Sequence, residues 1–420
     1  MIALADINNF YASCEKMFDP SLNGRPVIVL SNNDGCTIAR SEEAKALGVK
    51  MGSPALWVEQ HLRGQKVAIY SSNYTLYGSM SDRVMKIFRS FVARVEVYSI
   101  DEAFLDLSHV PEIELYSTAA AIRKMILEHT GLIVSIGVAP TKALAKMANH
   151  HAKKNYREHG VWVADTKQQI DHLLNETAID DVWGIGWQYQ KFLKGKKVHT
   201  AKDFVALPDD WVKNNLTVVT QRLLFELRGI QCFEWEESVV PKKNIRTSRS
   251  FQELLTTFRE LQAPLASHAA ACAKKLRDEK SCAKSIQVFI QTNPFRGTDK
   301  QYAGSIEIPI PVPTNNTQEL VKYAMRALQR VFKPGYNYHK CGVTVQELVP
   351  QEARQLGLFD QRDRVRDDRL MQALDQANSQ FGKDIVRYAT QGYETNWHLR
   401  AKRLSPRYTT RMDEIMVVKA

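Results

Sequence analysis

The sequence predicts a multidomain α+β protein, and three observations carry that prediction. Its 420 residues exceed what one compact domain usually holds. Short apolar runs that end at turn or acidic residues alternate with amphipathic stretches, the pattern of mixed strands and helices. From residue 179 the texture becomes helical with small turns, and a second strand-and-helix block follows the exposed stretch VVPKKN at 239–244. The composition, 44% hydrophobic and 25% charged with 20 Gly and 15 Pro, excludes collagen-like and low-complexity classes.

Each element has its own warrant. Residues 1–5 (MIALA) read as a buried strand that delivers Asp6 at its C-terminal end, and PVIVL at 26–30 as a second strand before the turn SNNDG. SEEAKALGV at 41–49 opens with Ser, carries acids in its first turn and stops at Gly48, as a short helix does. Residues 92–100 read as a strand running into Asp101 and Glu102, with 103–107 as its continuation. Successive strand side chains point to opposite faces, so both acids face one site only if a turn or bulge intervenes. That places a hairpin tip at the acid pair. Residues 117–130 form an amphipathic helix, LIVSIGV at 132–138 a buried strand, and 141–154 a strongly basic helix. In the second block, 285–292, 305–312 and 341–348 read as strands and 317–332 as a helix. The tail from residue 350 is polar and weakly patterned, and there is no internal repeat.

Charge narrows the partners. Lys and Arg exceed Asp and Glu by 57 to 46, a net +11. Residues 241–300 hold 12 Lys or Arg against 5 Asp or Glu, so most of that surplus sits in one segment. Such a balance favours a polyanion, nucleic acid before an acidic membrane, although a solvated basic surface gives the same count. The six cysteines form no C-x-x-C pair and read as reduced thiols. Asp6 stands too early for a signal peptide and no apolar run is long enough to span a bilayer, so the expected setting is cytoplasmic, without a membrane partner.

Asp6, Asp101 and Glu102 on neighbouring strands would make an oxygen cage for magnesium or manganese. Solvated acids on a surface hairpin would look the same from chemistry alone. The wording of the motifs adds more. DINNFYASCE at 6–15, SIDEAFLDL at 99–107 and SIGVAPTKALAKMANHHAKK at 135–154 resemble the Y-family translesion DNA polymerases. They are most similar to the UmuC type, the catalytic subunit of bacterial DNA polymerase V. The resemblance extends through LSPRYTTR at 404–411.

The resemblance implies a right-hand polymerase: a palm over 1–165 with fingers inserted at about 23–75, a helical thumb over 166–238, a little-finger domain over 242–350, and a C-terminal tail over 351–420. It implies an error-prone, DNA-templated polymerase acting in the SOS response by two-metal nucleotidyl transfer. Asp6, Asp101 and Glu102, with the Ile7 carbonyl, would hold two Mg²⁺ ions, for which Mn²⁺ can substitute. Tyr11, beside Phe10, matches the aromatic gate against a ribose 2′-hydroxyl, and Lys153 the residue on the incoming triphosphate. Lys45 stands where many members have arginine, and Glu42 where many have a phosphate-contacting tyrosine; Arg40 is the candidate to compensate.

The remaining sites follow from motif and resemblance together. WGIGWQYQKFL at 183–193 has the Gly184 and Gly186 turn of a helix-hairpin-helix, with Lys191, Lys194, Lys196 and Lys197 as added charge for a DNA backbone. Arg246 and Arg249 in RTSRSF open the basic segment expected to hold primer–template phosphates. In QLGLFD, Gln355, Leu356, Leu358 and Phe359 resemble a sliding-clamp-binding peptide; the other reading is a small apolar cluster on the body. The implied partners are primer–template DNA, dNTPs, the clamp, UmuD′-type subunits and a RecA filament. The alternative function is a catalytically silent, clamp-tethered DNA-binding scaffold, which rests on Glu42 and Lys45. A nucleotidyl cyclase on a similar palm would need neither the helical segment nor the basic block nor QLGLFD.

Overall fold

The computed structural model describes residues 1–155, 159–236, 241–355, 360, 362–382, 384–393 and 401–416, and the chain divides into two compact units. One comprises Met1–Ser238 with Arg400–Ala420, the other Val239–Leu399. None of the described helices is long and apolar enough to cross a membrane. All six cysteines are free.

The first unit is built from β1 (Ile2–Ile7), α1 (Phe10–Phe18), β2 (Val27–Leu30), β3 (Thr37–Arg40), α2 (Glu42–Ala46), α3 (Ala55–His61), β4 (Ala68–Ser71), α4 (Tyr74–Phe91), β5 (Val95–Val97) and β6 (Glu102–Asp106). These are followed by α5 (Leu115–Thr130), β7 (Val134–Ala139), α6 (Lys142–Asn155), β8 (Val161–Val163) and five helices: α7 (Lys167–Glu176), α8 (Trp187–Gly195), α9 (Ala201–Val205), α10 (Asp209–Asn215) and α11 (Val218–Leu227). The main sheet has the order β5-β6-β1-β7-β8, with β1 antiparallel to both neighbours.

Strand β1 is buried along its whole length, and the period of two sorts its side chains. Ala3, Ala5 and Ile7 join one core with α4 and α5, whereas Ile2 and Leu4 join another with α6 and the helices α7–α11. Asp6 therefore emerges on the α6 side. Helix α6 lies close on β7 because Gly137 has no side chain: a Cβ there would come 2.0 Å from the Asn149 nitrogen. A second, three-stranded sheet, β3-β2-β4, packs Ile28 and Leu30 against Ala44, Val49 and Val58. The helical segment is punctuated by capping boxes at Thr166 with Gln169 and at Thr200 with Asp203, which fix where α7 and α9 begin.

The second unit contains β9 (Asn244–Leu255), α12 (Phe258–Asp278), β10 (Ser281–Thr292), β11 (Ala303–Thr314), α13 (Thr317–Val331), β12 (Tyr338–Pro350) and α14 (Arg364–Phe381). Its antiparallel sheet has the order β11-β10-β12-β9. Ile286, Val288 and Ile290 on β10 form a core with Leu265 and Leu276 of α12 and Leu320 and Leu328 of α13.

The polar tail departs from the sequence reading. It holds an 18-residue helix, α14, seated through Met371, which is 1% exposed, and through ion pairs. Arg277 grips Asp375 with two hydrogen bonds of 2.6 and 2.8 Å, and Arg364 pairs with Glu319 at 2.6 Å. Residues 401–416 then return to the first unit: the Ser71 N–H donates to the Arg403 carbonyl at 2.9 Å, and Asn73 Nδ2 to the Ser405 carbonyl at 3.0 Å.

Candidate active site

The antiparallel register of β1 and β6 sets Asp6 directly opposite Glu102, as it sets Leu4 opposite Phe104. The two carboxylates thus share one sheet face. The hairpin tip precedes them. The N–H groups of Tyr98 and Ser99 both donate to the Glu102 carbonyl at 3.0 Å, and the Ile7 N–H donates to the Asp101 carbonyl at 2.9 Å. Asp101 lies in this bend, ahead of the first residue of β6. Its carboxylate accepts from Ser99 Oγ at 2.5 Å, and its charge, after burial and Tyr74, helps push the Tyr11 phenol up to about 12.

Helix α6 supplies the opposing charge. Lys142, Lys146, Asn149 and Lys153 are spaced to share one helix face. Lys153 pairs with Asp6 and Lys146 Nζ with Glu102 Oε2 at 2.7 Å. Lys142, 3% exposed, pairs with Glu96 at 2.6 Å and donates to the Glu234 carbonyl. Buried Asn149 donates to the carbonyls of Leu4 and Ser135 at 3.2 and 2.6 Å, which pins the helix to β1 and β7. A pocket of about 220 Å³ opens here, lined by Asp6, Glu102, Lys146, Asn149, Lys153 and Trp183 among others.

Burial pushes the Asp6 carboxyl up to about 7, against the pull of Lys153 and aided by its hydrogen bond and charge contact with Glu102. Burial acts on Glu102 too, but its hydrogen bonds with Asp6 and Lys146 outweigh that and hold it below the ordinary range. Two facing carboxylates, one buried and reluctant to ionise and the other partly buried, are hard oxygen donors, and that donor set fits a divalent cation. Among the described residues, no three Asp, Glu, His or Cys side chains already converge on one point. Asp101 is the member held aside, by Ser99.

Tyr11 lies half-buried on α1 and packs on α4. Its ring stacks on Tyr77 at 4.3 Å and 12° and meets Tyr74 edge-on at 6.0 Å. Phe10, 3% exposed, is core. Lys45 does not stand alone: its Nζ is 2.6 Å from Glu42, which also accepts from Asn9 Nδ2 at 3.0 Å. Arg40 ends β3 with a buried Nε that meets no hydrogen-bond partner among the described residues.

Other candidates separate. Gly184 has φ +87°, and Gly186 caps α8 with its backbone toward the helix N-terminus. Lys191 is exposed, but Lys194 is committed to Asp180. Arg246 and Arg249 are three apart on β9 and so face opposite ways. Arg246 is exposed, its guanidinium 4.0 Å over the Phe289 ring. Arg249 faces α12, where burial lowers its own pKa and its charge helps to depress His268. Gln355 is exposed; Leu356, Leu358 and Phe359 lie outside the described residues.

Sequence reasoning missed Lys146, whose helical spacing from Lys153 could have found it, and Ser99, which no periodicity marks. It also missed Glu15, 2% exposed, which accepts from the Tyr77 hydroxyl at 2.6 Å and from Ser405 Oγ at 3.0 Å.

Residues 5–150 match the impB/mucB/samB family, residues 242–358 that family's C-terminal domain, and residues 368–418 a domain of unknown function. Protein UmuC of Salmonella typhimurium is 40% identical over 422 residues, all of both chains, and Protein SamB of the same species is 39% identical over 424. DNA polymerase IV 1 of Bacillus subtilis is 27% identical over 91% of each chain. Among solved structures, a chimeric Y-family DNA polymerase made from Dbh and Dpo4 superposes with a TM-score of 0.68 at 20% identity, covering 83% of this chain and 99% of that one. An insertion ternary complex of Dbh DNA polymerase gives 0.53 at 21% identity over 83% and 99%. The chain therefore has the fold of these polymerases.

Proposed function

The chain belongs to the impB/mucB/samB family, the UmuC type of Y-family DNA polymerase, and from that premise we propose that it performs error-prone translesion DNA synthesis in the SOS response. The primer 3′-hydroxyl attacks the α-phosphate of a dNTP opposite a template base, and pyrophosphate leaves. The observation that carries this reading is the facing pair Asp6–Glu102 under the lysine face of α6.

Asp6, Glu102 and Asp101, with the Ile7 carbonyl, would hold Mg²⁺. Bound there, the ions would make the primer hydroxyl more acidic and offset charge building on the leaving phosphate. The chain's own groups do the rest. Lys153 stands at the pocket, where it can turn from Asp6 toward a triphosphate. Arg40 is the second phosphate cation, since Lys45 is already matched by Glu42. Tyr11 guards the sugar.

The assignments of palm (1–165), fingers (about 23–75), thumb (166–238) and little finger (242–350) belong to this proposal. So do the backbone contacts of Gly184, Gly186, Lys191 and Arg246, clamp binding through 355–359, a cytoplasmic setting, and UmuD′-type and RecA partners. The silent scaffold is not favoured: Glu42 and Lys45 satisfy each other and leave the carboxylates in place. Primer extension on undamaged and abasic templates, with Mg²⁺, a clamp and UmuD′-type subunits, tests the reading. Extension past the abasic site that Asp101→Ala abolishes is expected. DNA binding without extension under every condition would refute it.

A further inference from the structure

The chain's last described segment touches the sugar gate through a short relay. Residues 402–408 lie along the N-terminal end of α4. Asn73, the cap of that helix, accepts from the Leu76 N–H and donates to the Ser405 carbonyl, Ser405 Oγ and the Pro406 carbonyl at 3.0, 3.0 and 3.2 Å. The same first turns carry Tyr74 and Tyr77, the two rings that pack on Tyr11. Ser405 is 5% exposed, and its hydroxyl donates to Glu15 Oε1, the oxygen that also accepts from Tyr77. Glu15 sits on α1, one helical turn after Tyr11. The segment is anchored at both sides: Arg403 pairs with Glu59 at 2.7 Å, and Tyr408 stacks on Phe18 at 4.8 Å.

We propose that residues 402–408 act as a clip that fixes the position of Tyr11, through Ser405, Glu15 and Tyr77, and so sets how strictly the enzyme rejects a ribose 2′-hydroxyl. Ser405 is a positioning residue; it reaches no substrate. The inference rests on the reading of Tyr11 as the gate. Two supports of Tyr11, besides Tyr74 at its edge, are the ring of Tyr77 stacked on it and the turn of α1 that carries it. Ser405 is joined to the first through Asn73 and to the second through Glu15. Loosening it frees both supports at once while leaving the carboxylates and lysines of the active site untouched. A gate acts by sub-ångström clearance against one oxygen, so a small shift of the ring changes rNTP use before dNTP use.

The test is single-nucleotide insertion by the full chain with its clamp and UmuD′-type subunits. It measures kcat/KM for dNTP and rNTP in wild type, Ser405→Ala, Tyr77→Phe, the double variant and Tyr11→Ala. Expected is a fall of roughly three- to tenfold in the dNTP-to-rNTP ratio for each relay variant, through a lower rNTP KM, with dNTP turnover near wild type. The double variant should add little, because both changes cut one relay. An equal loss for both nucleotides, or an unchanged ratio beside a Tyr11→Ala ratio that collapses, overturns the clip while the gate reading stands. An unchanged ratio in Tyr11→Ala overturns the gate reading, and the clip with it.

Discussion

Glu15 is a carboxylate buried at 2% exposure with two neutral hydroxyls as partners and, among the described residues, no paired cation. Burial raises it from an ordinary 4.5 to about 7, although the hydrogen bonds from Tyr77 and Ser405 pull it down. At about 1.4 kcal/mol per pH unit, that displacement is worth about 3 kcal/mol. The sign follows from the raised folded value. The folded state holds the proton more tightly than the unfolded chain, so this stabilisation is complete below about pH 4.5 and is lost as pH rises through about 7. Glu15→Gln keeps an acceptor for both hydroxyls and removes the titration. Urea unfolding followed by tryptophan fluorescence reads this unit, because six of the seven tryptophans lie within Met1–Ser238. The stability of Glu15→Gln minus wild type should become more favourable by about 3 kcal/mol between pH 4.5 and 8. Asp6 titrates in the same window but cancels in the difference. A difference that stays flat across the window would refute the burial argument.

Asp6 should lose its proton when a divalent cation binds, so Mg²⁺ affinity weakens as pH falls below about 7. Calorimetry in buffers of different ionisation enthalpy at pH 6.5 should show proton release that Asp6→Asn abolishes. Arg246→Ala should weaken DNA binding uniformly across sequences and lower the salt slope of log K by about 1. Arg249→Ala should leave that slope unchanged, which titrations at several salt concentrations will check. Lys142→Met strands buried Glu96 without its cation and should destabilise the first unit by about 3–5 kcal/mol in urea unfolding.

The candidate carboxylates were legible because their signal is local. A strand of period two carries Asp6 to one known face, and the break between strands was required for two adjacent acids to serve a single site. The structure bears out that break but divides the acids differently. Asp6 and Glu102 converge by register, which pairs residues about a hundred positions apart and leaves no mark in either stretch alone. Asp101 is turned to Ser99 by the bend itself. The RTSRSF arginines divide for a similar reason. Charge count treats Arg246 and Arg249 alike, whereas the alternation of β9 gives one to solvent and one to α12.

The C-terminal region was illegible for a different physical reason. Sequence periodicity reports apolar burial, and α14 is held by one buried Met371 together with ion pairs whose partners sit on α12 and α13 or beside them. No apolar stripe is needed, so none was written. Residues 401–416 go further: besides the Arg403–Glu59 pair and the Tyr408 ring on Phe18, they dock through backbone groups and one serine hydroxyl. Backbone donors and acceptors are common to every residue type and leave no compositional trace. Yet this segment completes the hydrogen bonding of two buried polar side chains, taking the Asn73 Nδ2 donors and adding a second donor to Glu15 beside Tyr77. A buried Glu at position 15, four residues after Tyr11, has no role in an apolar helix face unless something polar arrives to meet it. The segment that does so comes from the far end of the chain, and it arrives against the helix that carries Tyr11.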